Sequence, residues 1–297
     1  MILFFIQWKN NHLDFEYSVQ KLNLKEIISF GLFVLVGGTS IMIVTRLDMM
    51  MIGSLLDLEQ VAFYTVAFFI GNAIKVPGKS IATISTPLLA KAWENQNMKE
   101  IQILYAKSSI NQLIIGGVFF LCVWINIDEI FSLLPLKFQG GKWVVFYIGL
   151  SQLFNIASGV NGAIIINSKY YKYDLYTNIL LIVITIASNL ILIPKHGIDG
   201  AAMATALSVL IFNLIRLVLI KVKMKMHPFS LNSLKTIIVL FTIYYLLQYL
   251  PKTSIVLLDI FWKSSITIII YIPLVLWLNL SEDLTAIVND MKGRFLQ

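Results

Sequence analysis

The chain is 297 residues long, 58% hydrophobic and 13% charged, against roughly half apolar and a quarter charged in soluble domains. That composition excludes a water-soluble fold and describes an all-α, polytopic membrane protein. The net charge of +7 does not indicate a nucleic-acid partner, because the basic residues gather at alternate ends of apolar runs instead of forming one patch.

Crossing about 30 Å of hydrocarbon takes roughly 20 helical residues. Runs of that length predict about eight transmembrane helices, at 27–52, 61–89, 103–125, 143–166, 174–193, 198–220, 231–250 and 256–280. They lack the short alternating segments of a barrel. Ahead of them, Met1 to Trp8 is apolar but too short to span, has no basic leader and is followed by Lys9, Asn10 and Asn11. Residues 1–24 therefore read as the stub of a truncated helix and a cytoplasmic linker, not as a secretory signal.

The first span carries Arg46 and Asp48. Two positions on a helix are about 200° apart, so the two side chains have separate partners. Arg46 is a candidate contact for phosphate, which guanidinium grips in a bidentate way; the alternative is an anchor at the outer interface. Asp48 is either a protonatable coupling site or the neutralising partner of a lysine on the next helix.

The second span holds Lys75 and Lys79 near its middle, with Asn72 one turn earlier and Pro77 and Gly78 between the lysines. A lysine at the bilayer centre costs about 2.5–3.5 kcal/mol on the insertion scale, so a pair on one helical face marks a polar interior suited to an anionic visitor. Snorkelling is the competing reading, and Lys79 is better placed for it than Lys75. Pro77 predicts a kink that frees the carbonyl of Ala73. Gly78-Lys79-Ser80 is not a phosphate-binding loop: Ala73 occupies the position of its first glycine, and no strand precedes it.

Beyond the single Cys122 in the third span, the longest connection runs around Asp128 to Lys142. The fourth span presents Ser151, Asn155, Ser158 and Gly162 at helical spacing, either a polar lining for a sugar path or a face for interhelical hydrogen bonds. Gly200, Ala204 and Ser208 form a packing face in the sixth. A composition break at Lys221 to Ser233 divides a six-helix lobe, 25–226, from two further helices and a cytoplasmic tail, 227–297. Asp259 and Lys263 read as an interfacial ion pair of small value.

Placing Lys21 and Lys25 in the cytoplasm puts fourteen basic residues on that side, Arg216 and Arg294 among them, against Lys137, Lys142, Lys195, Lys252 and Lys263 on the other. Both termini are then cytoplasmic. Trp93, Trp124, Trp143, Tyr170, Tyr171 and Trp277 fall near span ends, as headgroup-level rings do. His12, His196 and His227 lie in loops, and paired intramembrane carboxylates, metal-ligand clusters and cofactor motifs are not apparent. Chemistry of an enzyme is therefore not expected.

Phe30-Gly31-Leu32 opens the first span and Leu47-Asp48-Met49-Met50-Met51-Ile52-Gly53 closes it. Val61-Ala62-Phe63-Tyr64-Thr65-Val66-Ala67 follows, and Gly197-Ile198-Asp199-Gly200-Ala201-Ala202 begins a later span. These strings resemble the oligosaccharide-lipid flippases of the multidrug/oligosaccharidyl-lipid/polysaccharide exporter superfamily, over about residues 20 to 225. The resemblance implies half of a MATE-like two-lobe transporter, the second lobe plus two extra helices, either as a fragment or paired with a separate N-terminal lobe. It further implies passage of a polyprenyl-diphosphate-linked oligosaccharide across the bacterial inner membrane, for O-antigen or similar polysaccharide assembly, with Lys75, Lys79 and Arg46 meeting the diphosphate and Asn72 and Asn155 lining the path. Alternatives are a cation-coupled multidrug exporter of the same fold, a membrane glycan polymerase or ligase, or a nonfunctional remnant.

Overall fold

A computed structural model describes residues 28, 29, 31, 32, 35, 46–251 and 255–295. The stub at Met1 to Trp8, the linker lysines Lys21 and Lys25, His12, Phe30 of the family-like string and Lys252 lie outside the described residues. The remainder is helical, as the long apolar runs require.

Helix α1 covers 46–55 at its described end. Asp57 then caps α2 (Leu58–Asn72) by accepting from the backbone N–H of Gln60 at 2.8 Å. One 3-10 turn, Ala73–Lys75, joins α2 to α3 (Val76–Glu94). This is the break that Pro77 demands, and it settles the freed carbonyl locally: the N–H of Val76 donates to the C=O of Ala73. Asn97 caps α4 (Met98–Ile125), which is followed by the short α5 (Ile127–Ser132), a 3-10 stretch at Leu136–Gly141 and α6 (Lys142–Ala157). The fourth apolar run does not continue as one helix. It breaks after Ala157, where Gly159 takes φ +66°, and resumes as α7 (Asn161–Ile166). The expected stripe from Ser151 to Gly162 is therefore interrupted, and the hydroxyls of Ser151 and Ser158 are spent on the carbonyls of Ile148 and Phe154 in their own helix.

Helix α8 (Lys172–Met224) has 53 residues. At 1.5 Å per residue a straight rod of that size would reach about 80 Å, far beyond a bilayer. Instead it folds back at Gly197, whose φ of 59° and ψ of −136° suit glycine alone. Ser188 faces Ser208 at 3.2 Å, and Asp174 meets Arg216, so the two halves run antiparallel. The packing face of Gly200, Ala204 and Ser208 is buried in this hairpin. Two further helices, α9 (Leu231–Leu247) and α10 (Val256–Trp277), precede the C-terminal α11 (Glu282–Phe295).

Among the described residues, four helices are long and apolar enough to cross a membrane: Leu58–Glu94, Met98–Ile125, Lys172–Met224 and Val256–Trp277. Helix α6 forms the hub, packing on α2, α4 and both halves of α8 through Val144, Val145 and Ile148. Helix α4 carries α9 and α10, where Tyr271 donates to the C=O of Ile114 at 3.0 Å. The outside of the bundle is apolar; Phe69 and Phe261 are each 75% exposed, a pattern that hydrocarbon accepts and water does not. Trp93, Trp124, Trp143 and Trp277 lie within a residue of a helix end.

Glycine is needed at position 200 for space. A Cβ there would lie 2.1 Å from the backbone oxygen of Leu192, which no rotamer change can relieve. Gly200→Ala is expected to destabilise the chain by about 3 kcal/mol or more, as core overpacking against fixed atoms does, read as a lower midpoint of thermal unfolding in detergent.

Candidate functional site

Asp48 is the most deeply buried candidate, 2% exposed. Its carboxylate collects donors from three helical segments. The Tyr64 hydroxyl donates at 2.9 Å from α2, the Asn189 amide at 2.7 Å from the first half of α8, and the Thr205 hydroxyl from the second half. All three are neutral, and no lysine or arginine reaches Asp48 among the described residues. The expected role as neutralising partner of a lysine on the next helix is thereby corrected: the next helix supplies Tyr64. Asn189 Oδ1, on the other side of the donating amide, and Thr185 Oγ1, one helical turn earlier, are buried without hydrogen-bond partners. A buried carboxylate met by neutral donors alone among the described residues is a group able to take up a proton.

Lys75 and Lys79 lie at the junction of α2 and α3. Lys75 ends the 3-10 turn and is half-buried, and Lys79 is exposed one helical turn on. Neither forms an ion pair among the described residues. Gly78 between them does not loosen the packing. It faces inward and lets α3 approach the bundle: a Cβ would lie 2.7 Å from Ile156 Cγ2 and 3.1 Å from Gln112 Oε1. Turning Gly78 inward at the break leaves Lys79 pointing away from the bundle. Asn72, on the last turn of α2, keeps its Oδ1 buried and unpartnered. Arg46 is exposed at the start of the described part of α1.

Asn155 is exposed and ends a chain of amides: Asn161 donates to Asn213 at 3.0 Å, and Asn213 donates to Asn155 at 3.1 Å. The chain borders a second buried polar core. Arg216, 5% exposed, donates to Asp174, to Asn178 at 3.1 Å and to Thr177 at 3.2 Å, and lies 4.1 Å over the ring of Phe212. Arg216, counted in the sequence among the basic residues of the cytoplasmic side, is thus buried and paired between the two halves of the hairpin. Asp259 and Lys263 form the ion pair expected of them, but inside the protein and not at an exposed interface. Both are buried, 2.8 Å apart, and Glu129 of α5 completes the cluster at 2.6 Å from the lysine.

The structure therefore brings Asp48 into a site with residues the sequence reading passed over, Tyr64, Asn189 and Thr205, and leaves Arg46, the two lysines and Asn155 apart from it. Thr185, Ser188 and Asn189 share one face within an apolar run. That polar stripe is the signal that would have marked Asn189.

The sequence model for the polysaccharide biosynthesis protein family matches residues 1–127. This stretch contains Arg46, Asp48, Asn72, Lys75 and Lys79, and over it the chain is similar to polysaccharide biosynthesis proteins. Asn189 and Thr205, which complete the Asp48 site, fall outside it. No curated protein matches the chain.

Removing Asp174 strands a buried guanidinium. Asp174→Ala is expected to cost about 3–5 kcal/mol, and the pair Asp174→Leu with Arg216→Met to recover most of it, measured by chemical unfolding in detergent.

Proposed function

We propose that this chain serves in flipping a polyprenyl-diphosphate-linked oligosaccharide across the bacterial inner membrane for polysaccharide biosynthesis. The observation that carries the reading is the unpaired cationic face of Lys75 and Lys79 at a helix break, in a stretch that resembles polysaccharide biosynthesis proteins. A diphosphate brings the negative charge that this face lacks, and it holds two lysines more cheaply than hydrocarbon does. Asn72, with its unpartnered oxygen, offers a hydroxyl acceptor beside them, and Arg46 a second cationic contact.

The role is transport and not catalysis. A separate six-helix lobe would cover the lysine face and close a path between the two halves, with both termini of this chain in the cytoplasm. Asp48 is the coupling group: loading its carboxylate with a proton changes how tightly α1 binds both halves of the α8 hairpin, and rocking of one lobe against the other can use that change.

Lys75→Gln with Lys79→Gln, introduced into the complete transporter, is expected to abolish surface polysaccharide at unchanged protein level. Undiminished polysaccharide would count decisively against the reading. Asp48→Asn is expected to lower glycan export at least tenfold; if it removes transport of organic cations and leaves glycan export intact, a cation-coupled drug exporter is the better description.

A further inference from the structure

A groove of about 710 Å³ runs between α6 and α9, with α4 as its floor. It exists because α4 draws both helices down without closing them on each other. Gly116 admits Ile156 of α6 and Gly117 admits Leu240 of α9, where a Cβ would lie 2.6 Å from Leu240 Cδ1. Helix α9 packs on α4 and α10 and stands off α6. From Ser230 to Tyr244 the α9 wall covers fourteen positions, about 21 Å of helix, against about 15 Å for one leaflet of a 30 Å hydrocarbon core.

The walls identify what fits. Leu150, Ile237 and Phe241 are 43%, 41% and 61% exposed along the middle of the groove, and no charged side chain lines it among the described residues. Polar atoms are confined to the ends. At one end Ser230 and Ser233 close the capping box of α9, in which the Ser230 N–H donates to the Ser233 hydroxyl at 3.2 Å; at the other stand Trp124, Trp143 and Tyr244. A ligand with polar groups along its length would lose its hydration here without return, so the occupant is an apolar chain. A partner's helix fits poorly, because helices associate in hydrocarbon through small residues that let backbones approach. Gly116 and Gly117 are already covered, and the small residues of the walls, Ala157 and the two capping serines, gather at one end. The groove is also separate from the lysine face. Ile156 fills the space between Gly116 and Gly78, where a Cβ would lie 2.7 Å from its Cγ2, so α6 stands between the groove and the α2–α3 junction.

From this geometry we propose that the groove between α6 and α9 holds one acyl chain of a membrane phospholipid as a resident lipid that joins α9 to α6. The groove is continuous with the apolar outer surface of the bundle, where Phe229 and Leu234 are exposed beside it, so a chain enters sideways from the bilayer while its headgroup stays among headgroups. Length agrees as well, since an acyl chain spans one leaflet and the wall is somewhat longer. A polyprenyl chain whose diphosphate sits at Lys75 and Lys79 lies on the far side of α6. With no charge in the lining, the groove reads the chain and not the headgroup.

The test is native mass spectrometry of the full chain released from detergent, with palmitoyl-oleoyl phosphatidylethanolamine and palmitoyl-oleoyl phosphatidylglycerol as probes. One phospholipid of either headgroup is expected to stay bound at collision energies that strip the rest. Ile237→Trp, which fills the groove from α9, and Leu150→Trp, which fills it from α6, should each lower that retention about fivefold or more. Ile238→Trp, exposed on another side of α9, should leave it unchanged, and circular dichroism should show equal helical content in all three. No retained phospholipid, or equal retention in all three variants, would overturn the resident lipid. Displacement by an equimolar polyprenyl phosphate would overturn it by giving the groove to the transported molecule, and a dimer that Ile237→Trp dissolves would overturn it by giving the groove to a second copy.

Discussion

The carboxylate of Asp48 dictates how four helical segments meet. A charge sheltered from water must be hydrogen-bonded, and here the donors come from Tyr64, Asn189 and Thr205, far apart in the chain. Satisfying them together sets α1 against α2 and against both halves of the α8 hairpin. Gly197 and Gly200 make this geometry possible, the first by turning the backbone and the second by letting the returning helix press on Leu192. Without the close hairpin, Asn189 and Thr205 could not converge on one carboxylate.

Polar chemistry in this protein gathers where helices are interrupted. The 3-10 turn at Ala73–Lys75 sets Lys75 and Asn72 at an interruption of the α-helical hydrogen bonding, the break after Ala157 brings Asn161 to Asn213, and the turn at Gly197 delivers His196 and Asp199 to the aromatic cluster of α6. Interruptions free backbone groups that must be paired within protein, so they occur where other polar groups are already enclosed. The same places are suited to holding a polar ligand.

Three ionic clusters divide the labour of assembly. Asp174 and Arg216 tie the α8 hairpin together near its open end, Lys263 with Asp259 and Glu129 ties α10 to α5, and Lys107 with Asp283, 2.8 Å apart, fastens α11 to α4. The first two are buried, and such pairs contribute little net stability but penalise alternative pairings, since a mismatched helix would strand a charge; the third is partly exposed. Asp48 stands apart from them in having neutral partners alone.

Much was determined by the sequence itself. Apolar runs of sufficient length had to become helices because hydrocarbon supplies no hydrogen bonds to backbone, and Pro77 had to break the second of them because it carries no N–H. Lys75 and Lys79 had to stand out, since any charge in such a run is expensive. What only the tertiary structure decided was which of these groups meet. Periodicity places a residue on a face but does not say what the face opposes, so the partners of Asp48, the burial of Arg216 and Lys263 and the break after Ala157 depended on helix packing, which brings together residues from separate helices, as far apart in the chain as Asp48 and Thr205.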